Sequence, residues 1–278
     1  MTRSKVILAA FAALTLSAVA ATASASASAP PGSAPTGSQP VSSAPVCSTD
    51  AVSGDLVVFA AASLTDSFTS IGDAFMTANP DSDVTFNFAA SSDLVGSINE
   101  GAVADIFASA DQSNMDKLTA ADGEGTIGDP VTFRTNTLEI IVEAGNPQGI
   151  TGLADLANAD LTVVSTDPAV PIGAYTQQVL DAAGVTVDFD SYVENVKGIV
   201  DAVTGGEADA GIVYATDAIA AVDDADGVQI PADVNVTADY PIAVPASAAD
   251  ADGAAAFESF VLCQDGQAIL ADYGFGVP

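Results

Sequence analysis

The sequence predicts an α/β protein of two lobes, each built on a mostly parallel sheet, with two extended strands crossing between them as a hinge. Three observations carry this. From Asp55 onward, short apolar runs alternate with helical stretches, the pattern of a sheet whose faces are covered by helices. The same order then recurs in the second half of the chain. Each copy is followed by an extended stretch with a neighbouring proline, at 137–142 and 240–244, expected to carry the chain from one lobe to the other. Residues 50–134 and 237–278 then form lobe I, and 135–236 form lobe II. Two lobes joined by two crossings close over a ligand in their cleft by hinge motion.

In order along the chain, 56–59 is a short buried strand, and the helix predicted over 64–78 is closed by Asn79-Pro80. Residues 83–88 alternate apolar and polar and predict a strand, followed by a helix over 92–100, a strand at 106–108 and a helix over 113–121. In the second half, 161–164 predicts a strand, 173–183 and 195–204 predict helices, and 211–214 the next strand. One pair of segments is alike at residue level. Gly101-Ala102-Val103-Ala104-Asp105 with Ala110-Asp111 parallels Gly206-Glu207-Ala208-Asp209 with Thr216-Asp217.

Ahead of this domain, Arg3 and Lys5 precede an apolar run reaching Ala20, followed by small residues with several A-x-A frames. That is the layout of a secretory signal peptide, assigned to 1–28, and the run is shorter than the ~20 residues a membrane anchor needs. Residues 29–49 are rich in Ser, Pro and Ala and read as a linker. The protein is therefore expected outside the cytoplasm, in a periplasm or at a cell surface. In an exported chain, Cys47 and Cys263 are expected to pair, worth about 2–4 kcal/mol. The rival reading makes Cys47 a lipid anchor, although it follows Pro45-Val46 where such sites need a small residue.

The 278 residues contain 37 Asp plus Glu against 5 Lys plus Arg and no histidine, for a net charge of −32. Without the signal only Lys117, Arg134 and Lys197 remain as cations, and the net becomes −34. With 49% hydrophobic residues the chain is no acidic disordered tail, and it can assemble no basic face for nucleic acid. Absence of histidine removes Ser-His-Asp and Cys-His catalysis, no spacing marks a catalytic carboxylate pair, and no enzyme activity is expected. The acidity points first to cations, but the Asp residues form no D-x-D-x-D-G calcium loop.

Ligands of open α/β sheets bind at the carboxyl ends of strands. Four such places carry distinctive residues: Ala60-Ala61-Ala62-Ser63-Leu64-Thr65, Ala89-Ala90-Ser91-Ser92-Asp93-Leu94, Val170-Pro171-Ile172-Gly173-Ala174-Tyr175 and Glu194-Asn195-Val196-Lys197. Helix starts present free N–H groups and a positive dipole end, which suit an anion. Singly each has an ordinary explanation: serine is a common N-cap, Pro171 fits a first turn, and Tyr214 at a strand end suits packing.

Four motifs give the chain a specific likeness. Phe59-Ala60-Ala61-Ala62-Ser63-Leu64-Thr65-Asp66, Phe88-Ala89-Ala90-Ser91-Ser92-Asp93-Leu94, Ala104-Asp105-Ile106-Phe107-Ala108-Ser109-Ala110-Asp111 and Gly211-Ile212-Val213-Tyr214-Ala215-Thr216-Asp217-Ala218 resemble the periplasmic molybdate-binding proteins of ABC importers. The likeness runs from about Asp55 to the closing Tyr273-Gly274-Phe275. It implies the type II periplasmic-binding fold, a monomer that captures molybdate or tungstate without any cofactor, and delivery to a membrane permease. It also implies the contacts: Ser63 and Ser91 through hydroxyl and backbone, Ile172 and Val196 through main-chain N–H, and Tyr214 through its phenol. Sulfate, a smaller tetrahedral oxyanion with the same need for donors, is the alternative ligand.

Four positions depart from the family or bear on the charge of the site. Ile172 stands where the family has a small residue, and Val103 replaces a proline, read as a surface change. Asp93, two residues after Ser91, either repels an anion or faces outward. Lys197 either assists the site from behind or is a solvated helix residue.

Overall fold

The computed structural model describes residues 44–48 and 50–278; the signal assigned to 1–28 lies outside the described residues, as does the linker apart from 44–48. Two five-stranded sheets organise the rest. The first contains β1 (Ser53–Ala61), β2 (Asp81–Ala89), β3 (Ile106–Ala108), β4 (Thr126–Asn136) and β10 (Ala238–Pro245), in the order β2-β1-β3-β10-β4. The second contains β5 (Leu138–Glu143), β6 (Val163–Thr166), β7 (Ser191–Val193), β8 (Ala210–Tyr214) and β9 (Ala225–Gln229), in the order β7-β6-β8-β5-β9.

Both sheets follow one plan. Three parallel strands are succeeded by one antiparallel strand, β10 or β5, and then by an edge strand. The sheets are thus mixed: the strand beside each crossing runs against its neighbours. The chain passes from the first sheet to the second at Thr137, between β4 and β5, and returns through 230–237 into β10.

The repeated segments have a shared physical task. The backbone N–H of Val57 in β1 donates to Asp105 Oδ2 at 2.8 Å, and that of Thr162, just before β6, donates to Asp209 Oδ2 at 2.6 Å. In return the N–H of each Asp donates to the carbonyl of the same residue, Val57 or Thr162. Each Asp therefore fastens the start of its lobe's central strand.

Helices α1 (Thr65–Ala78), α2 (Ser91–Asn99), α3 (Gln112–Thr119), α7 (Ala251–Leu262) and α8 (Gln264–Asp272) belong with the first sheet, and α4 (Pro171–Ala183), α5 (Val196–Thr204) and α6 (Ala215–Ala220) with the second. In α1, Phe68, Ile71 and Phe75 recur at helical spacing and are buried, Phe75 meeting Phe257 of α7 edge-on at 5.2 Å. A second cluster joins Leu94, Val95 and Ile98 of α2 and Met115 and Leu118 of α3 to Phe59 and Phe107 of the sheet. The alternating β2 is half exposed, as an edge strand should be, while β6 is buried throughout. Asn79 stops α1: its side-chain amide donates to Phe75 O at 3.0 Å while its Oδ1 accepts from Val52 N at 3.1 Å. Gly184, at φ 66°, ends α4 in the left-handed conformation that glycine adopts without strain.

Cys47 is disulfide-bonded to Cys263, which lies between α7 and α8. Val103 is 54% exposed. Among the described residues no helix is long and apolar enough to cross a membrane, and no cluster of His, Cys, Asp and Glu is arranged to hold a metal cation.

Candidate functional site

The carboxyl ends of β1, β2, β6 and β8 meet across the cleft around one small cavity. Its wall contains Ser63, Ser91, Ile172, Val196 and Tyr214, so the structure brings all five sequence-predicted residues to one place. Ala61, Ala62, Ala89, Ala90, Ala110, Val170, Pro171 and Asn195 complete the lining, which contains neither a carboxylate nor a cation. The cavity offers oxygen-sized atoms about 20 Å³ in which to place their centres.

Each candidate donor is held by its local fold. Ser63 sits in a 3-10 turn (Ala62–Leu64) that leads from β1 into α1, and its hydroxyl is 2.9 Å from the phenol of Tyr240. Ser91 opens α2, and its Oγ accepts from Ala110 N at 3.1 Å, which leaves its own O–H free to donate. Neither helix start has a side-chain cap, and α4 has none either. Pro171 supplies no N–H at the first position of α4, so Ile172 carries the first donor. In α5, Asn195 accepts from the N–H groups of Lys197 and Gly198, which leaves that of Val196 facing no cap. Gly173 lets α4 approach β6 closely: a Cβ there would meet the carbonyl oxygens of Asp167 and Thr166, the latter at 2.6 Å.

Tyr214 is 1% exposed and its hydroxyl has no hydrogen-bond partner. Burial, and then the neighbouring Tyr240, Tyr175, Asp111 and Asp217, push its phenol well above the usual range, so it stays protonated and can donate. Its ring meets Tyr240 of β10 edge-on at 5.7 Å and Tyr175 of α4 at 6.4 Å. Behind the cavity, an aromatic cluster thus joins the two lobes.

Asp93 is exposed, outside the cavity, and takes a 3.4 Å hydrogen bond from Ser92. Lys197 does not line the cavity and is no free surface residue. Its ammonium lies 3.0 Å from Asp66 of α1 and 3.1 Å from Asp217 of α6. Burial works to lower the pKa of Lys197, but Asp217 and Asp66 hold it above the usual value. Sequence reasoning missed Tyr240 and Asp217. The first had a signal in its place beside Pro241 at the return crossing, and the second in its place in the repeated segment.

The candidate donors are neutral N–H and O–H groups on the wall of a cavity between the lobes. Such a set binds an anion that only accepts hydrogen bonds and leaves a proton-bearing anion without a carboxylate partner. Comparisons with known proteins agree in fold and in sequence. A molybdate-binding protein of Mycobacterium tuberculosis, ModA, is 40% identical over 224 residues, spanning 80% of this chain and 85% of that protein. The structure of the periplasmic molybdate-binding protein of Azotobacter vinelandii superposes with a TM-score of 0.69 at 22% identity, covering 80% of this chain and 99% of that one. The sulfate-binding protein SubI of Mycobacterium tuberculosis superposes at 0.66 with 19% identity, covering 80% and 86%, so the fold alone does not choose the anion. Residues 56–276, most of the chain, match one family, and the chain is a member of the bacterial extracellular solute-binding protein family.

Proposed function

We propose that this protein captures molybdate, or the nearly identical tungstate, between its two lobes outside the cytoplasm and delivers it to the permease of an ABC transporter. The observation that carries the reading is the buried, unpartnered hydroxyl of Tyr214 in a cavity ringed by uncapped helix starts and free of carboxylates. A buried hydroxyl without a partner costs stability unless a ligand accepts from it. Molybdate is fully deprotonated at neutral pH and can accept from every donor here. Phosphate keeps a proton near neutrality and would need an acceptor that this wall lacks. Relatives named for molybdate binding, at 40% identity, support the same choice.

In this reading Ser63 and Ser91 contribute hydroxyl and backbone donors, Ile172 and Val196 contribute main-chain N–H groups, and Tyr214 contributes its phenol. Closure of the lobes excludes water, so each hydrogen bond acts in a lower dielectric. The closed monomer then docks on the permease. Sulfate offers the same charge and acceptors in a smaller body, so its rejection rests on the size of the cavity. The likeness in fold to a sulfate-binding protein makes sulfate the anion to compare.

Calorimetry with molybdate, tungstate, sulfate and phosphate tests the proposal. Molybdate and tungstate should bind with similar affinity, and sulfate and phosphate far more weakly; sulfate binding as tightly as molybdate would sink it. Ser63→Ala and Ser91→Ala should each weaken molybdate by about 1–3 kcal/mol, the value of one hydrogen bond to a charged group.

A further inference from the structure

Lys197 follows Val196, whose N–H belongs to the cavity wall of lobe II, and Asp66 follows Ser63 by three residues in the wall of lobe I. The Lys197–Asp66 pair at 3.0 Å therefore spans the cleft, within one helical turn of a donor on each side. The same ammonium lies 3.1 Å from Asp217 Oδ1, off the line of a hydrogen bond, and the Asp217 side chain is only 1% exposed. Among the described residues these two are the only ion pairs, and both use Lys197. In a domain with three cations and 37 acids, one cation is spent on joining the lobes beside the site and on cancelling the buried acid three residues from Tyr214.

We propose that Lys197 is a positioning residue of the anion site: its ammonium ties the first turn of α5 to the first turn of α1 across the cleft and neutralises Asp217 behind Tyr214. Both effects favour the closed site. The tie shortens the distance between the two sets of donors, and the cancelled carboxylate no longer repels a bound anion. Release of the ligand requires the Lys197–Asp66 pair to break, so the residue acts chiefly on the dissociation rate. This inference rests on the anion-capture reading above.

The test is stopped-flow release of molybdate from the wild type, Lys197→Met, Asp66→Asn and the double variant Lys197→Met/Asp66→Asn, with melting temperatures taken alongside. Lys197→Met should release the anion on the order of ten-fold faster. Asp66→Asn should have a smaller effect, because that carboxylate is half exposed. The double variant should release no faster than Lys197→Met, since the pair is already broken. This cycle cancels any change in long-range repulsion from removing Asp66, which enters both backgrounds equally. If Lys197→Met does not fold because it strands Asp217, Lys197→Met/Asp217→Asn restores a neutral interior and should still release fast through the missing tie. Release at the wild-type rate in the folded lysine variant, or effects of the two single changes that simply multiply, overturns the inference and leaves the anion site standing. A wild type that binds none of the four anions overturns the site reading, and the inference falls with it.

Discussion

Tyr214 and Asp217 stand one helical turn apart and are both buried, yet burial acts on them with different results. It keeps the phenol protonated, which makes it a donor at any physiological pH. It raises the Asp217 carboxyl from 3.8 to about 6, against the pull of Lys197 and with a further push from Asp66. A carboxyl with its folded pKa above its unfolded one binds a proton more readily in the native state. Its contribution to stability is therefore absent above about pH 6, grows as the pH falls through that value, and is complete below 3.8. The gap is worth on the order of 3 kcal/mol. Urea unfolding of the wild type and Asp217→Asn should show the variant gaining most over the wild type at pH 7.5 and losing that advantage by pH 4. A difference that stays constant across this range contradicts the assignment.

In the proposed site the donors stand at helix starts, and one glycine decides how closely the start of α4 can approach β6. Gly173→Ala should push the first turn of α4 off β6, because the new methyl meets the carbonyls of Asp167 and Thr166. It should destabilise the fold by about 1–3 kcal/mol, as overpacking does, and weaken the anion further by displacing the N–H of Ile172. Thermal unfolding and calorimetry on one variant check both. The sequence was readable at this level where an element had a strong local signal. Strand 106–108 coincides with β3, and helix 173–183 falls inside α4, because an apolar run marked the one and Pro171, suited to a first turn, the other. The long β4 had no such mark, since Gly128 and Pro130 interrupt it and its pairing with β10 is supplied from more than a hundred residues away. The Ala-rich α7 lacks a sharp apolar stripe, and Phe257 is buried against Phe68 and Phe75 of α1 and Phe86 of β2, which only the fold brings to it. Among site residues, the five proposed donors follow motifs at strand ends. The contacts of Tyr240 with Ser63 and of Lys197 with Asp66 join positions 177 and 131 residues apart, and no local pattern encodes them.

Over the whole molecule, the charge and the proposed ligand have the same sign. Of the 37 acids only Asp105, Asp111, Glu139 and Asp217 are buried, and none lines the cavity. In the proposed site the field that holds the anion is local, made by peptide dipoles and hydroxyls, while the long-range field repels it. Salt screens exposed charges beyond about 8 Å at physiological strength but reaches an enclosed site much less. The association rate of molybdate should therefore rise with added sodium chloride while its dissociation rate changes little. Stopped-flow at several ionic strengths reads both, and an association rate that falls with salt would contradict this division of the field. The two crossings have one more consequence. Asn136 and Ala238 are paired neighbours in β4 and β10, so the chain leaves the first sheet and rejoins it at the same rung. In topology, everything from 137 to 237 occupies the place of a hairpin loop, and a two-residue turn joining β4 to β10 would leave the first sheet with all of its strands and half of the cavity wall.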